Sequence, residues 1–178
     1  MIMPIVIYGQ DVLKQPAKPV EAVTPEIREL VASMLESMYA ARGVGLAAEQ
    51  VGRTESLCVI DVPRDMEEPD CVEANAAIRM PLVLINPEIL ETQGSLRRSE
   101  GCLSFPDLYV PITRPRSVTF RYTDCDGNRQ TATAHGLLAR AVLHETDHLQ
   151  GILLADRMSP AQRIANAGKL KRIRASAG

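Results

Sequence analysis

Apolar positions recur at helical spacing early in the chain. Ile27, Leu30, Val31, Met34, Leu35 and Met38 fall on one face of a 3.6-residue repeat, which predicts a helix laying one stripe on a core. Thr24-Pro25-Glu26 marks its start, with Thr24 as N-cap and Pro25 at the first helical position, and Gly43 is expected to stop it. Then the pattern changes. Leu57 to Val62 is a continuous apolar run of strand length, and Leu82 to Ile85 is a second short strand ended by Asn86-Pro87. The polar, acidic stretch between them, from Pro63 to about Met80, reads as a long surface loop. Ser117 to Thr123 and Arg129 to Thr133 read as a hairpin turning through Asp126-Gly127. Helix-favouring residues return from about Leu137 to Gln150 with Gly151 as the stop, and Ser159-Pro160 caps a last helix running to about Arg174. Strands first, then a helix against them, predict an α+β fold: small antiparallel or mixed sheets around a central helix, with N-terminal and C-terminal helices. The chain of 178 residues suits one domain, residues 1–178, with a basic helical tail from about residue 157.

Composition narrows the classes. Hydrophobic residues make up 46% and charged residues 24%, an ordinary soluble balance, and no apolar run is long enough to span a bilayer. A net charge of −2 argues against wholesale nucleic-acid binding, but the charge is uneven. No acidic residue follows Asp156, whereas Arg157, Arg163, Lys169, Lys171, Arg172 and Arg174 are all basic. The default reading of that tail is a solvated helix face; the alternative is contact with ribosomal RNA. Nothing at the start resembles a signal or transit segment, and four scattered cysteines do not form a disulfide framework, so a bacterial cytoplasm is expected.

Chemistry concentrates in His144-Glu145-Thr146-Asp147-His148. On a helix the two imidazoles share a face and can converge on one cation, with Glu145 one step round to reach a water held there. An exposed polar turn is the bland alternative, but the flanking Leu137, Leu138, Ala141, Val142 and Leu149 argue for a buried helix. Catalytic sites of this kind use three protein ligands. Downstream of His148 there is no His, Cys or Glu, so an upstream cysteine has to be considered. Cys58 lies in an apolar run and reads as core, while Cys71 in the loop and Cys125 by the hairpin turn read as incidental. Cys102, in Glu100-Gly101-Cys102-Leu103-Ser104-Phe105-Pro106, sits in a bend rather than a regular element, and spacing alone leaves it an open candidate. A third stretch, Gly43 to Gly52, reads by itself as a helix end followed by a strand, with Gln50 as an amide donor. His135 reads as a surface or helix-capping residue.

Taken together, Gly43-Val44-Gly45-Leu46-Ala47-Ala48-Glu49-Gln50, Glu100-Gly101-Cys102-Leu103-Ser104 and His144-Glu145-Thr146-Asp147-His148 resemble, in order, the three signature motifs of the peptide deformylase family. The similarity extends from Pro4-Ile5-Val6 through Leu84-Ile85-Asn86-Pro87-Glu88 to Gly136-Leu137-Leu138-Ala139-Arg140-Ala141. The resemblance implies a hydrolase that removes the formyl group from formyl-Met nascent chains, with Cys102, His144 and His148 as ligands of one divalent metal. It implies Fe²⁺ as the ion in the cell, with Zn²⁺, Ni²⁺ or Co²⁺ able to substitute, and Glu145 as general base and acid. It also implies an oxyanion hole of the Gln50 amide and the Leu103 N–H. The peptide would lie extended beside Gly43-Val44-Gly45, Gly45 bonding it, with Val44, Leu137, Ala141 and the stem of Arg140 walling the methionine pocket. Glu100 and Arg140 are candidates for a pair bracing the site, a surface role being the alternative. Leu143 stands where many members carry Gln, and Asp107 where Gly is common. Two rivals stay in view: a metallopeptidase using another third ligand, and a protein that binds metal or formylated chains without turnover.

Overall fold

In the computed structural model, which describes residues 1–178, a five-stranded antiparallel sheet and a separate two-stranded hairpin surround one helix. The first helix, α1 (Pro25–Ala40), starts as expected: the Thr24 hydroxyl accepts the Ile27 N–H at 3.3 Å. Leu30, Val31, Met34 and Met38 are buried along its stripe. Its stop differs from the expectation. Arg42, not Gly43, takes the left-handed conformation (φ 58°), and the Gly43 N–H closes onto the Met38 carbonyl at 2.9 Å.

Strand β1 (Gly45–Ala47) leads through a 3-10 turn, Ala48–Val51, to β2 (Leu57–Ile60). All four β2 residues are buried because Leu57 and Val59 face α1 while Cys58 and Ile60 face the opposite core. The expected loop after β2 is instead a 3-10 turn (Arg64–Met66) and a short helix, α2 (Pro69–Ala74). Six residues are too few for a periodic signal, and the charges around them mask that Cys71 is turned inward, 3% exposed. Strand β3 (Leu82–Gln93) runs through Asn86-Pro87 rather than ending there. Asn86 takes a positive φ of 50° in a bulge between Ile85 and Glu88, and its amide bonds both backbone groups of Val20 at 2.7 and 2.8 Å. The pair bends the strand without stopping it.

The segment read as a bend around Cys102 is a hairpin, β4 (Leu96–Cys102) and β5 (Phe105–Arg114). β6 (Ser117–Thr123) and β7 (Arg129–His135) form the expected hairpin, its turn held by the Asp124 carboxylate accepting the N–H groups of Asp126 and Asn128. The central helix α3 (Gly136–Leu149) ends at Gly151, whose φ of 73° suits glycine. After a turn of helix, α4 (Leu154–Arg157), the expected single last helix is split into α5 (Pro160–Ala165) and α6 (Ala167–Ser176). The Asn166 side chain donates to the Gln162 carbonyl at 2.8 Å and so competes with the helix ladder at the break.

Sheet order is β1-β2-β3-β6-β7, leaving β1 on an edge. One face of this sheet meets α3 through Ile60, Leu84, Val118, Phe120, Leu138 and Val142. The hairpin β4–β5 has its own core, in which Phe105, Leu108, Val110 and Ile112 meet Leu13, Leu153, Leu154 and Ile173 of α6. The helix α3 thus lies between sheet and hairpin. No helix is long and apolar enough to cross a membrane.

Candidate metal centre

Two elements bring the three proposed ligands together. Cys102 is the last residue of β4, where a register shift turns the strand towards α3, and His144 and His148 lie one turn apart on α3. Their ligand atoms all fall within 4.8 Å of one another, with Cys102 Sγ 3.4 Å from His148 Nε2. A thiolate and two imidazoles are a donor set for a borderline divalent cation, and the residues present fit one. Burial, with the charges of His144 and Arg114, holds the His148 imidazole below its ordinary pKa, whereas Cys102 and Glu100 raise that of His144 against its burial.

His144 is aimed by its other nitrogen. Its Nδ1 lies 2.8 Å from Glu100 Oε2, which leaves Nε2 for the centre. Burial disfavours charge on Glu100, but hydrogen bonds from Arg114 and His144 outweigh it and keep the carboxyl far below its usual range. The Glu100–Arg140 pair anticipated from sequence is present at 2.9 Å, and the Arg140 guanidinium also donates to the carbonyls of Ile112 and Leu96. The stronger brace was not anticipated. Arg114 grips Glu100 with two bonds of 2.7 and 2.8 Å and reaches Asp147 at 2.9 Å, while Arg157 holds Asp147 from the other side. A signal was available: Leu108, Val110 and Ile112 alternate inward on β5, and Arg114 occupies the next inward position.

Glu145 faces the same space. Its Cγ and Oε1 lie so close to Gly45 that a Cβ there would come within 3.0 and 2.5 Å of them. Burial pushes its carboxyl up to about 7, with His144 opposing and Glu100 adding to the rise, and its Oε2 has no hydrogen-bond partner. Gln50 is fixed by its own oxygen, which accepts the Ala47 N–H at 2.9 Å, so its Nε2 points towards Ser104 Oγ (3.1 Å) and Cys102 Sγ (3.5 Å). The Leu103 N–H enters none of the backbone hydrogen bonds made outside helices and strands. Glu49, beside Gln50, went unremarked in the sequence. It is fully buried, neither carboxyl oxygen is hydrogen-bonded, and burial pushes it up to about 8.

A cleft of about 410 Å³ opens over these groups. Val44, Gly45, Leu137, Arg140 and Ala141 all line it, as does Met66 from the segment read as loop. Asp107 on its rim has a φ of 58°, a conformation glycine takes freely and Asp tolerates. Leu143 lies outside the lining, half-buried against the sheet. His135 stands at the N-cap position of α3, but its side chain makes no capping bond. Glu67 does, accepting the N–H groups of Leu137 and Leu138 at 2.7 and 2.9 Å, while the His135 backbone is pinned by Asn75. In the basic tail, Arg157 and Arg163 pair with Asp147 and Asp156 and Arg174 donates to Tyr8, whereas Lys169, Lys171 and Arg172 are exposed and form no ion pair.

Comparison with known proteins agrees with this geometry. The sequence model of the family described as polypeptide deformylase matches residues 2–164. The chain is 45% identical to a peptide deformylase of Chlorobium limicola over 92% of its own length and 84% of the relative's. It is 44% identical to one of Agrobacterium fabrum, covering 91% and 90%. Among solved structures, a peptide deformylase of Ehrlichia chaffeensis aligns with a TM-score of 0.88 at 35% identity, covering 99% of this chain and 98% of that one. One of Synechococcus elongatus, in complex with actinonin, aligns with a TM-score of 0.84 at 40% identity, covering 98% and 90%.

Proposed function

The chain belongs to the polypeptide deformylase family, metal-dependent hydrolases that remove the N-terminal formyl group from nascent polypeptides, and on that premise we propose that Cys102, His144 and His148 hold its metal. The observation carrying this assignment is the convergence of their three ligand atoms within 4.8 Å. When bound, the cation supplies the Lewis acidity that makes water a nucleophile near neutral pH. Glu145 accepts the proton of the attacking water and then delivers it to the departing amine, the roles its buried carboxyl beside the centre allows. The Gln50 Nε2 and the Leu103 N–H donate to the oxygen that becomes negative on the formyl carbon. Gln50 is turned that way by its bond from Ala47.

The peptide lies extended along the free edge of β1, next to Gly43-Val44-Gly45, as an added strand. Val44, Leu137, Ala141 and the stem of Arg140 receive the methionine side chain; all four line the cleft. Fe²⁺ is the ion in the cell, with Zn²⁺, Ni²⁺ or Co²⁺ able to substitute, in keeping with a mixed sulfur and nitrogen donor set. The 178 residues act as one catalytic unit in the bacterial cytoplasm, and the basic face of α6 meets the ribosome.

Formate release from formyl-Met-Ala-Ser, set against unformylated Met-Ala-Ser, tests the reading with anaerobically metal-loaded protein, wild type beside Cys102→Ala. Wild type alone should release formate and hold one metal per chain. Equal metal content and turnover in Cys102→Ala would remove Cys102 from the ligand set.

A further inference from the structure

Residues 6–8 tie together the two turns that carry the oxyanion donors. The Val6 N–H donates to the Gln50 carbonyl at 2.7 Å, and the Tyr8 N–H donates to the Ser104 carbonyl at 2.8 Å. Alternate residues of an extended segment present their N–H groups to the same side, so one short strap can fix the spacing of both turns. Across the gap between the turns themselves, the Gln50 amide bonds only Ser104 Oγ and the Cys102 sulfur.

The strap is anchored on its far side. The Tyr8 ring stacks on Phe105, the residue following Ser104, with centroids 4.6 Å apart and planes at 23°. Arg174 of α6 donates to the Tyr8 hydroxyl at 2.7 Å and sits 5.0 Å over the ring. Close approach of the helix depends on Gly9, where a Cβ would come within 2.9 Å of Arg174 Cγ and 3.2 Å of its Cα. Gln10 adds a bond to the Ala177 carbonyl at 3.3 Å.

We propose that Tyr8, clamped by Arg174, is a positioning residue for deformylation: it sets the Leu103–Ser104 turn against Gln50 so that the Leu103 N–H and the Gln50 amide converge on the oxyanion. This rests on the donor assignment made above. The Gln50 side is fixed by Ala47, so the Leu103 side is the one whose position depends on the strap. Neither the methionine pocket nor the metal ligands include strap residues. Loosening the strap therefore weakens binding of the transition state more than binding of the substrate.

Steady-state kinetics on formyl-Met-Ala-Ser, with metal content and circular dichroism measured alongside, test this in wild type, Tyr8→Leu, Tyr8→Phe, Gln50→Ala and the Tyr8→Leu/Gln50→Ala double variant. Tyr8→Leu should lose about tenfold or more in kcat, the scale of a donor displaced by part of an ångström, with KM within about twofold and metal content unchanged. Tyr8→Phe keeps the stacked ring and should recover about half of wild-type kcat or more. In the Gln50→Ala background, Tyr8→Leu should add less than about a twofold loss, because a strap serving a concerted pair of donors has little left to align. Unchanged kcat in folded, metal-replete Tyr8→Leu, or a fully additive double variant, overturns the proposal. Unchanged kcat in Gln50→Ala alone would instead overturn the donor assignment beneath it. Should Tyr8→Leu fail to fold, Arg174→Met removes the clamp while leaving the strap, and the same comparison applies.

Discussion

Glu49 shows what a single buried group does to this fold. It is fully buried in the Gln50 turn, with Glu145 and Glu55 adding negative charge nearby, and Cys58 of β2 feels the carboxyls of Glu145 and Glu49. Unfolded, Glu49 gives up its proton near 4.5; folded, burial first and then those neighbours raise that to about 8. Between these values the folded chain holds a proton that the unfolded chain has lost. Its stabilising contribution is therefore full below 4.5 and fades as pH rises towards 8. Glu49→Gln keeps the shape without the titration. Metal-loaded Glu49→Gln should melt close to wild type at pH 5 and at least a few degrees above it at pH 8. Parallel melting curves across that range would show that Glu49 is not held neutral. The sequence signalled other site residues because chemistry dictates their spacing: His144 and His148 by the helical repeat, Glu145 by its place between them. Arg114 was marked only by its inward place in the β5 alternation, and Asp147 not at all, since a brace is defined by the partners that reach it from β4 and α4. Glu49 carried none because its burial is a property of packing.

At the scale of elements, legibility followed length and period. The helix α1 was visible because sixteen residues repeat their apolar stripe and Thr24-Pro25 punctuates the start. The hairpin β6–β7 was visible because a turn pair separates two strands of similar length. α2 was not, being six residues long and charged, and β3 was cut short in the reading because Asn86-Pro87 looks like an ending when it is a bulge. The misread stretch matters to the site. Glu67, just before α2, caps the N-terminus of α3 with two hydrogen bonds, and its charge sits at the positive end of the helix dipole. Glu68 beside it pairs with Arg98 of β4, so this segment spans from the hairpin to α3. Glu67→Ala leaves the Leu137 and Leu138 N–H groups without their partner. It should cost about 1–2 kcal/mol, seen as a melting temperature lower by about 2–8 °C, while Glu67→Gln, which can still accept, should lose less. Equal losses in the two variants would point to charge rather than capping as the dominant effect.

Over the whole molecule the basic tail divides by what its side chains already do. Arg157, Arg163 and Arg174 are committed within the fold, to Asp147, Asp156 and Tyr8. Ile173 is buried and Leu170 half-buried against the hairpin core, so α6 is docked and presents one side outward. That leaves Lys169, Lys171 and Arg172 as cations free to meet a partner, a sorting that composition could not make because all six residues look alike in sequence. Replacing Arg174 as well would mix loss of charge with loss of the Tyr8 clamp. The clean variant is Lys169→Gln/Lys171→Gln/Arg172→Gln. If α6 meets ribosomal RNA through phosphate contacts, each lost contact should reduce the slope of log affinity against log salt by roughly 0.7–0.9, and co-sedimentation with ribosomes should weaken. Turnover of formyl-Met-Ala-Ser should stay at the wild-type rate, since none of the three side chains lines the cleft. Unchanged co-sedimentation with unchanged salt dependence would return the tail to a solvated face whose work is done by Arg174 and Ile173, holding α6 against the hairpin and the strap.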